Sequence, residues 1–557
     1  MSNTADEPSR GVKRWGDRRT AWRWLSAILG GVLLAGAFPP IGIGFLAPIA
    51  VAAITLATVS TSRLRGAFGF GFITGLVFFG FLLRWMSVLG TDAWLALALF
   101  CAFWLGLVGV LSRIVIRLPY WPMWIGGVWV TQEALRDRYP WGGFPWGRLA
   151  FSQSESPTLG LASIGGAPLI TAVVAVSGAL LAWAVLSVVR RWSVGSSQRV
   201  VGTLRNRAVA AAVLAAVGVW VVGLAIPLAT AGQSAQGPAS AVVALIQGSV
   251  PTFGLDAMSQ RRAVLNNHVN GTRELAARVR AGEERAPELV IWPENSTDID
   301  PFTNESAAAA ISSAADDIGV PILVGAVTRN PTDPSTLWNV GIVWEPQTGP
   351  SDFYVKQHPV PFGEYLPGRS ILQRYITRFD RIPFDFAPGP EPGVLQVGPA
   401  RIADVICFEI AYDEVVRDGV LAGGRAIAVQ TNNATYSFSG RGGSAQPEQQ
   451  AAMSSIRAVE HGRSVLIAAT SGVTAIIAPD GTVQQEAPLL ASSQIVGDVS
   501  LRDSQTIATR IGATPEWIVL VATASAVLWG IAALRSDRRR RRNAVANKTR
   551  NEHNPVE

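Results

Sequence analysis

The chain has 557 residues, of which 49% are hydrophobic and 16% charged, with a formal charge of +7. It is too long for one ordinary compact domain, and so apolar a composition is foreign to an ordinary soluble protein. The arginines crowd at the chain ends and in short loops between apolar runs. No basic stripe with base-stacking aromatics occurs in the polar part, which argues against a nucleic-acid partner.

Residues 1–21 are polar and basic, and an apolar run follows from Trp22 to Phe38. Alone it has the look of a signal-peptide core. Further apolar stretches at about 42–59, 67–89, 93–111, 114–132, 161–188 and 208–230 make a first membrane span the better reading. Each is close to the ~20 residues that a helix needs to cross the hydrocarbon layer. An eighth run, Trp517 to Leu534, precedes the basic tail 536–557. Loop charges test the count. With residue 1 in the cytoplasm, the cytoplasmic loops carry Arg63 and Arg65, Arg113 and Arg117, Arg190, Arg191 and Arg199, and the tail carries Arg538 to Arg542. The first two opposite loops, around 39–41 and 90–92, carry no Lys or Arg. The positive-inside rule therefore puts both termini in the cytoplasm and the long polar insert outside. A membrane domain over 22–232 and a last span over 516–535 follow.

Two segments face outward. The loop 133–160 contains Trp141, Phe144 and Trp146 among prolines and glycines, which disfavour a regular helix. Its aromatics suit either an interfacial anchor or a contact with substrate lipid. The insert 240–505 alternates short apolar runs with polar helical stretches. Residues 241–246, 288–292, 320–324, 341–344, 401–406, 426–430, 464–468 and 474–477 read as strands, while 259–281 and 306–318 read as helices. Such alternation predicts an α/β domain with a layered sheet core. The small residues of 435–450, including Tyr436, fit a mobile lid or a plain surface loop.

Two cysteines are present: Cys101 lies in an apolar run and Cys407 in the insert, so a disulfide between them is not expected. The four histidines lack metal-ligand spacing and no phosphate-loop or dinucleotide motif occurs, so neither a metal nor a cofactor is expected. Three polar residues follow apolar strands: Glu294 after Val290-Ile-Trp-Pro293, Lys356 after Phe353-Tyr-Val355, and Cys407 after Val405-Ile406. Singly, each has an ordinary reading as a turn residue, a surface charge or a small core residue. Together they supply acyl transfer: a carboxylate to take the thiol proton, a thiolate to attack, and an ammonium for the oxyanion.

These residues carry a resemblance. Trp292-Pro-Glu-Asn-Ser296, the run from Lys356 to Pro367, Ile406-Cys-Phe-Glu-Ile410, Gln430-Thr-Asn-Asn433 and Arg457-Ala-Val-Glu-His-Gly-Arg463 resemble the carbon–nitrogen hydrolase (nitrilase) superfamily. That resemblance implies an α-β-β-α sandwich with a Glu–Lys–Cys triad. Seven spans, this domain and a last span, with the Gly143-Phe-Pro-Trp-Gly147 loop, are similar to the apolipoprotein N-acyltransferase family. The implied roles are Glu294 as general base, Lys356 as oxyanion stabiliser and Cys407 as nucleophile, with Glu364 and Glu409 as supporting acids.

The resemblance also implies a bacterial plasma-membrane enzyme with a phospholipid donor and a diacylglyceryl-modified apolipoprotein acceptor. Two departures stand out: Phe408 replaces a frequent tyrosine after the nucleophile, and the Lys-Trp pair often found shortly after the first Gln-Gly is missing. Phe253 is the candidate to supply part of the lost contact. The rivals are a membrane-tethered amide hydrolase and a non-enzymatic membrane scaffold. Eight spans exceed what tethering requires, and an intact triad argues against a scaffold.

Overall fold

The computed structural model describes residues 9–61, 63–193, 199–226, 239–250, 260–376, 380, 383–436 and 445–552. Apolar side chains that cannot be buried locally drive the amino-terminal half into helices: α1 (Ser9–Gly36), α2 (Leu46–Val59), α3 (Leu64–Leu82), α4 (Thr91–Val115), α5 (Trp121–Arg136), α6 (Ala162–Ser193) and α7 (Arg199–Ala225). Among the described residues, Leu64–Leu82, Thr91–Val115, Leu159–Val189 and Thr514–Ser536 are long and apolar enough to cross a membrane. Leu46–Val59 and Val213–Ala225 are shorter apolar helices. These lengths and compositions suit a membrane protein.

Small residues let α3 and α4 meet backbone to backbone. A Cβ on Gly71 would stand 2.2 Å from the Leu105 carbonyl oxygen, and one on Gly109 would stand 2.2 Å from that of Ala67. Close approach of this kind replaces the hydrophobic drive that is missing between helices in lipid. The loop expected over 133–160 starts later than the sequence suggested, because residues up to Arg136 complete α5. Beyond it the chain doubles back, and the buried Arg136 guanidinium donates to the carbonyl oxygens of Phe144 and Trp146. These bonds fix the aromatic loop without regular secondary structure.

The insert folds as two stacked sheets. The first has the order β13-β1-β2-β3-β4-β5, with β6 beside β4; its strands are β1 (Ser240–Gln247), β2 (Leu289–Ile291), β3 (Ile322–Arg329), β4 (Thr336–Glu345), β5 (Gly349–Val355), β6 (Asp385–Phe386) and β13 (Ser493–Ser500). The second has the order β12-β11-β10-β9-β8-β7, built from β7 (Val394–Val397), β8 (Ala400–Ile406), β9 (Ala426–Thr431), β10 (Val465–Ala469), β11 (Ala475–Ile477) and β12 (Val483–Glu486). Leu245, Ile291, Leu323, Ile406, Ala428 and Leu466 belong to the core between the sheets. On the far side of the first sheet lie α8 (Arg261–Arg280) and α9 (Glu305–Ile318), whose Leu265 and Ile311 pack with Val290 and Trp292. On the far side of the second lie α11 (Asp413–Leu421) and α12 (Gln446–His461). The short α10 (Arg369–Tyr375) sits in the loop after β5, and α13 (Ile507–Ile511) leads into α14 (Thr514–Glu552). Layers therefore run α-β-β-α, as the resemblance to the carbon–nitrogen hydrolases implies.

One core joins this sandwich to the helices. Met453, Ile456 and Val459 of α12 share a cluster with Phe151, Leu161 and Ile170 of the membrane half. The segment 435–450 needs correction, since Gln446–Gln450 form the first turns of α12, opened by Pro447. Residues 437–444 lie outside the described residues, and so does Phe253.

Candidate active site

Both sheets deliver polar residues to one end of the sandwich. Glu294 follows β2, Lys356 follows β5, and Cys407 follows β8, where the strand turns into a short 3-10 helix, Cys407–Ala411. Cys407 adopts φ +57°, a left-handed conformation rare for a residue with a side chain. Rigid strands end at each position, so the groups meet with little freedom.

Glu294 and Lys356 are buried. Glu294 Oε1 accepts from Lys356 Nζ at 3.2 Å and from Asn339 Nδ2 at 2.8 Å, while Oε2 accepts from the Asn432 amide at 2.8 Å. Lys356 Nζ also donates to Glu364 Oε1 at 2.9 Å, and Glu364 Oε2 accepts from the Val360 amide. Burial alone would depress the Lys356 ammonium. Glu294 and Glu364 outweigh it and hold the group well above its ordinary range, so it stays charged.

Cys407 is half-buried. The surrounding protein, and then the charge of Glu294, push its thiol up to about 12 against the pull of Lys356. At neutral pH the sulfur therefore rests as a thiol and needs a base beside it to attack. The Thr431 hydroxyl lies 3.3 Å from Sγ and 3.0 Å from Gln450 Oε1, while Gln450 Nε2 donates to the Cys407 carbonyl oxygen at 2.9 Å.

The turn that carries Cys407 is braced at both ends. Glu409 accepts from the amides of Ile406, Gln357 and His358 at 2.8, 2.7 and 2.9 Å, and from the Tyr354 hydroxyl. It thereby ties the turn carrying Cys407 to the residues just after Lys356. At the other end Arg457 donates to the carbonyl oxygens of Ile410 (3.0 Å) and Ala411 (2.9 Å) and to Asp413 (2.6 Å). Asp413 is shared with Arg148 at 2.7 Å, which also approaches Asp137 at 3.3 Å, and Arg457 pairs with Glu460. A chain of largely buried charges thus runs from the end of α5 to the turn that carries Cys407.

Of the aromatic candidates, Trp146 is buried and stacks on Phe408 with centroids 5.5 Å apart and planes 6° from parallel. Phe144 stacks on Phe408 at 5.6 Å. Phe408 thus seats the turn carrying Cys407 on the aromatic loop after α5 through its ring. Tyr436 meets Trp85 edge to face, whereas Trp141 is 61% exposed and meets Phe362. Gln449 accepts from Trp85 and Trp146 and donates to the Pro39 and Leu82 carbonyl oxygens, joining α12 to several membrane-half segments.

The sequence reading did not single out Asn339, Thr431, Gln449 or Gln450. Thr431 fell inside a quoted motif, but the others carry no local signal. Asn339 bridges Glu294 and Glu364 from the middle of a strand, and only the pairing of β4 with β5 reveals it.

A buried carboxylate and ammonium and a half-buried thiol meet at the strand ends of an α-β-β-α sandwich, the fold of a carbon–nitrogen hydrolase-type domain. Residues 242–509 match the carbon-nitrogen hydrolase family, and residues 30–180 match the apolipoprotein N-acyltransferase N-terminal domain. The apolipoprotein N-acyltransferase of Mycolicibacterium smegmatis is 38% identical over 516 residues, covering 91% of this chain and 84% of that protein. Its counterpart in Pseudomonas syringae pv. tomato is 31% identical over 376 residues, 67% of each chain. An amidase structure from Nesterenkonia sp. aligns at TM-score 0.34 and 16% identity, covering 52% of this chain and 100% of that one. The chain belongs to the apolipoprotein N-acyltransferase family, and it is an acyltransferase.

Proposed function

We propose that the enzyme moves an acyl chain from a membrane phospholipid to the α-amino group of an amino-terminal S-diacylglyceryl cysteine, through a thioester on Cys407. Family membership supports lipoprotein N-acylation, and the observation that carries the mechanism is the contact of Lys356 with Glu294 beside a neutral thiol.

Glu294 takes the thiol proton as Sγ attacks the ester carbonyl. Lys356, kept charged by its two carboxylate neighbours, stabilises the oxyanion. Collapse breaks the ester C–O bond, and the lysophospholipid alkoxide leaves with the proton held by Glu294. In the second half the neutral amine attacks the thioester, Glu294 accepts its proton, and the thiolate leaves and is reprotonated as the amide forms. A free α-amino group titrates near ~7.7–8.0, so neutral amine is present at physiological pH. Phe144 and Trp146 stack on Phe408, next to Cys407, and Tyr436 meets Trp85, an aromatic surround that suits an acyl chain kept from water.

The membrane arrangement belongs to the same proposal: eight spans, residues 240–505 on the extracytoplasmic side, and both termini in the cytoplasm. The loop arginines support it.

Mass spectrometry of the purified enzyme mixed with phospholipid tests the chemistry. An acyl-sized adduct on Cys407, absent from Cys407→Ala and discharged by a diacylglyceryl-cysteine peptide to an amide, is the expected result. Discharge by water alone would make the protein a lipid hydrolase, and no adduct with any phospholipid would refute the thioester route.

A further inference from the structure

Asp404 is an acid in the middle of an apolar strand, and among the described residues no side chain donates to it. It lies on β8, 1% exposed, and neither carboxyl oxygen has a hydrogen-bond partner. On the neighbouring β9, Gln430 is 0% exposed and its Oε1 also lacks a partner. Ile406 pairs with Gln430 and Asp404 with Ala428, so both polar side chains share the face that meets the first sheet. There they converge on Gly341 of β4: a Cβ on that glycine would stand 2.0 Å from Asp404 Oδ2 and 2.7 Å from Gln430 Oε1. Any side chain at 341 would occupy their shared space.

The orientation of the Gln430 amide is not free. Its Nε2 donates to the Trp292 carbonyl oxygen at 2.6 Å, with the Leu323 carbonyl oxygen at 3.4 Å. Turning the amide over would press one acceptor against another at the shorter of these distances. Oε1 must therefore face the side where Asp404 lies. Two acceptor groups buried together, with no side-chain donor to serve them among the described residues, oppose each other unless a proton is shared between them.

We propose that Asp404 is a neutral acid whose O–H donates to Gln430 Oε1, making it a positioning residue for the active site. The proton locks the amide so that Nε2 holds the Trp292 carbonyl, two residues before Glu294. The next residue after Gln430 is Thr431, whose hydroxyl touches Cys407 Sγ. One buried proton thus sets the approach of the base on the first sheet to the nucleophile contact on the second. Burial, and then the nearby Glu409 carboxylate, push the Asp404 carboxyl well above its ordinary range, in agreement with this geometry.

The consequence for rate rests on the Glu294–Cys407 reading above, whereas the protonation does not, and two measurements separate them. The first is infrared difference spectroscopy of wild type against Asp404→Asn at neutral pH. The carbonyl stretch of a protonated carboxylic acid, present in wild type and missing from the variant, is expected. Its absence would mean an ionised Asp404, paired through water, and would overturn the proposal whatever the enzyme catalyses.

The second is the rate of Cys407 thioester formation at saturating phospholipid. Asn keeps an N–H donor, so Asp404→Asn should stay within about threefold of wild type, whereas Asp404→Leu should fall about tenfold, the scale of one buried hydrogen bond, with KM unchanged. An Asn variant as slow as the Leu variant, or a Leu variant as fast as wild type, would overturn the positioning role. If wild type forms no thioester, the catalytic reading fails and the infrared band still decides the protonation.

Discussion

The two helical layers of the sandwich use the same ion-pair chemistry to opposite ends. On the layer of α8 and α9, Arg273 meets Asp317 at 2.9 Å with side chains 46% and 40% exposed, and at the edge of the same sheet Arg285 meets Asp498 of β13 at 2.8 Å, more exposed still. On the layer facing the membrane half, Arg148, Asp413, Arg457 and Glu460 form a chain in which both arginines are buried. Water screens the first set, so its geometry is loosely enforced. The second set has lost most of its water, with only Asp413 still partly exposed, and each charge depends on its neighbour. The molecule is rigid where the nucleophile turn stands and tolerant on the opposite face.

Breaking the buried chain gives the largest expected effect. Arg457→Met strands Glu460, leaves Asp413 with Arg148 alone and frees the Ile410 and Ala411 carbonyls, so thermal unfolding in detergent should report a loss of about 3–5 kcal/mol. Alkylation of Cys407 should change with it, since the turn loses its far support. A variant as stable as wild type would show that the chain is ornamental.

Acid sharpens the comparison. Arg148 and Arg457 overcome burial and hold the Asp413 carboxyl well below the usual carboxylate range. A depressed folded value means that this stabilisation is complete above the unfolded value of ~3.9 and is lost only as pH falls through the folded one. The stability difference between wild type and Asp413→Asn should therefore stay constant from neutrality to about pH 4 and shrink below it. A difference that collapses near pH 6 would contradict the assignment. The smallest effect belongs to the outer layer, where Arg273→Ala should cost about 0.2–1 kcal/mol, less at high salt, with no change in thioester formation.

Much of this was legible in the sequence because it is local. An apolar run ending in Glu294, Lys356 or Cys407 announces a strand end by itself, and the period of the runs announces alternating strands and helices. The start of α12 was hidden because Gln446–Gln450 follow a stretch of small residues that reads as loop. Asn339, Gln449 and Asp404 were illegible for a different reason. Each is an ordinary polar residue until another part of the chain reaches it, as Glu294 and Glu364 do with Asn339, and Trp85 and Trp146 with Gln449. Sequence patterns report which face a residue takes, while the partner across a sheet or a domain junction is settled by packing.

The left-handed backbone at Cys407 sets sulfur against fold. At that position an L-residue costs about 1–2 kcal/mol that glycine avoids. Between two inert variants, Cys407→Gly should melt higher than Cys407→Ala by about 1 kcal/mol, a difference that differential scanning calorimetry resolves. A glycine there would give a calmer protein with nothing to acylate. Every native molecule carries that tension in its resting state, held in place by Glu409 on one side and Arg457 on the other.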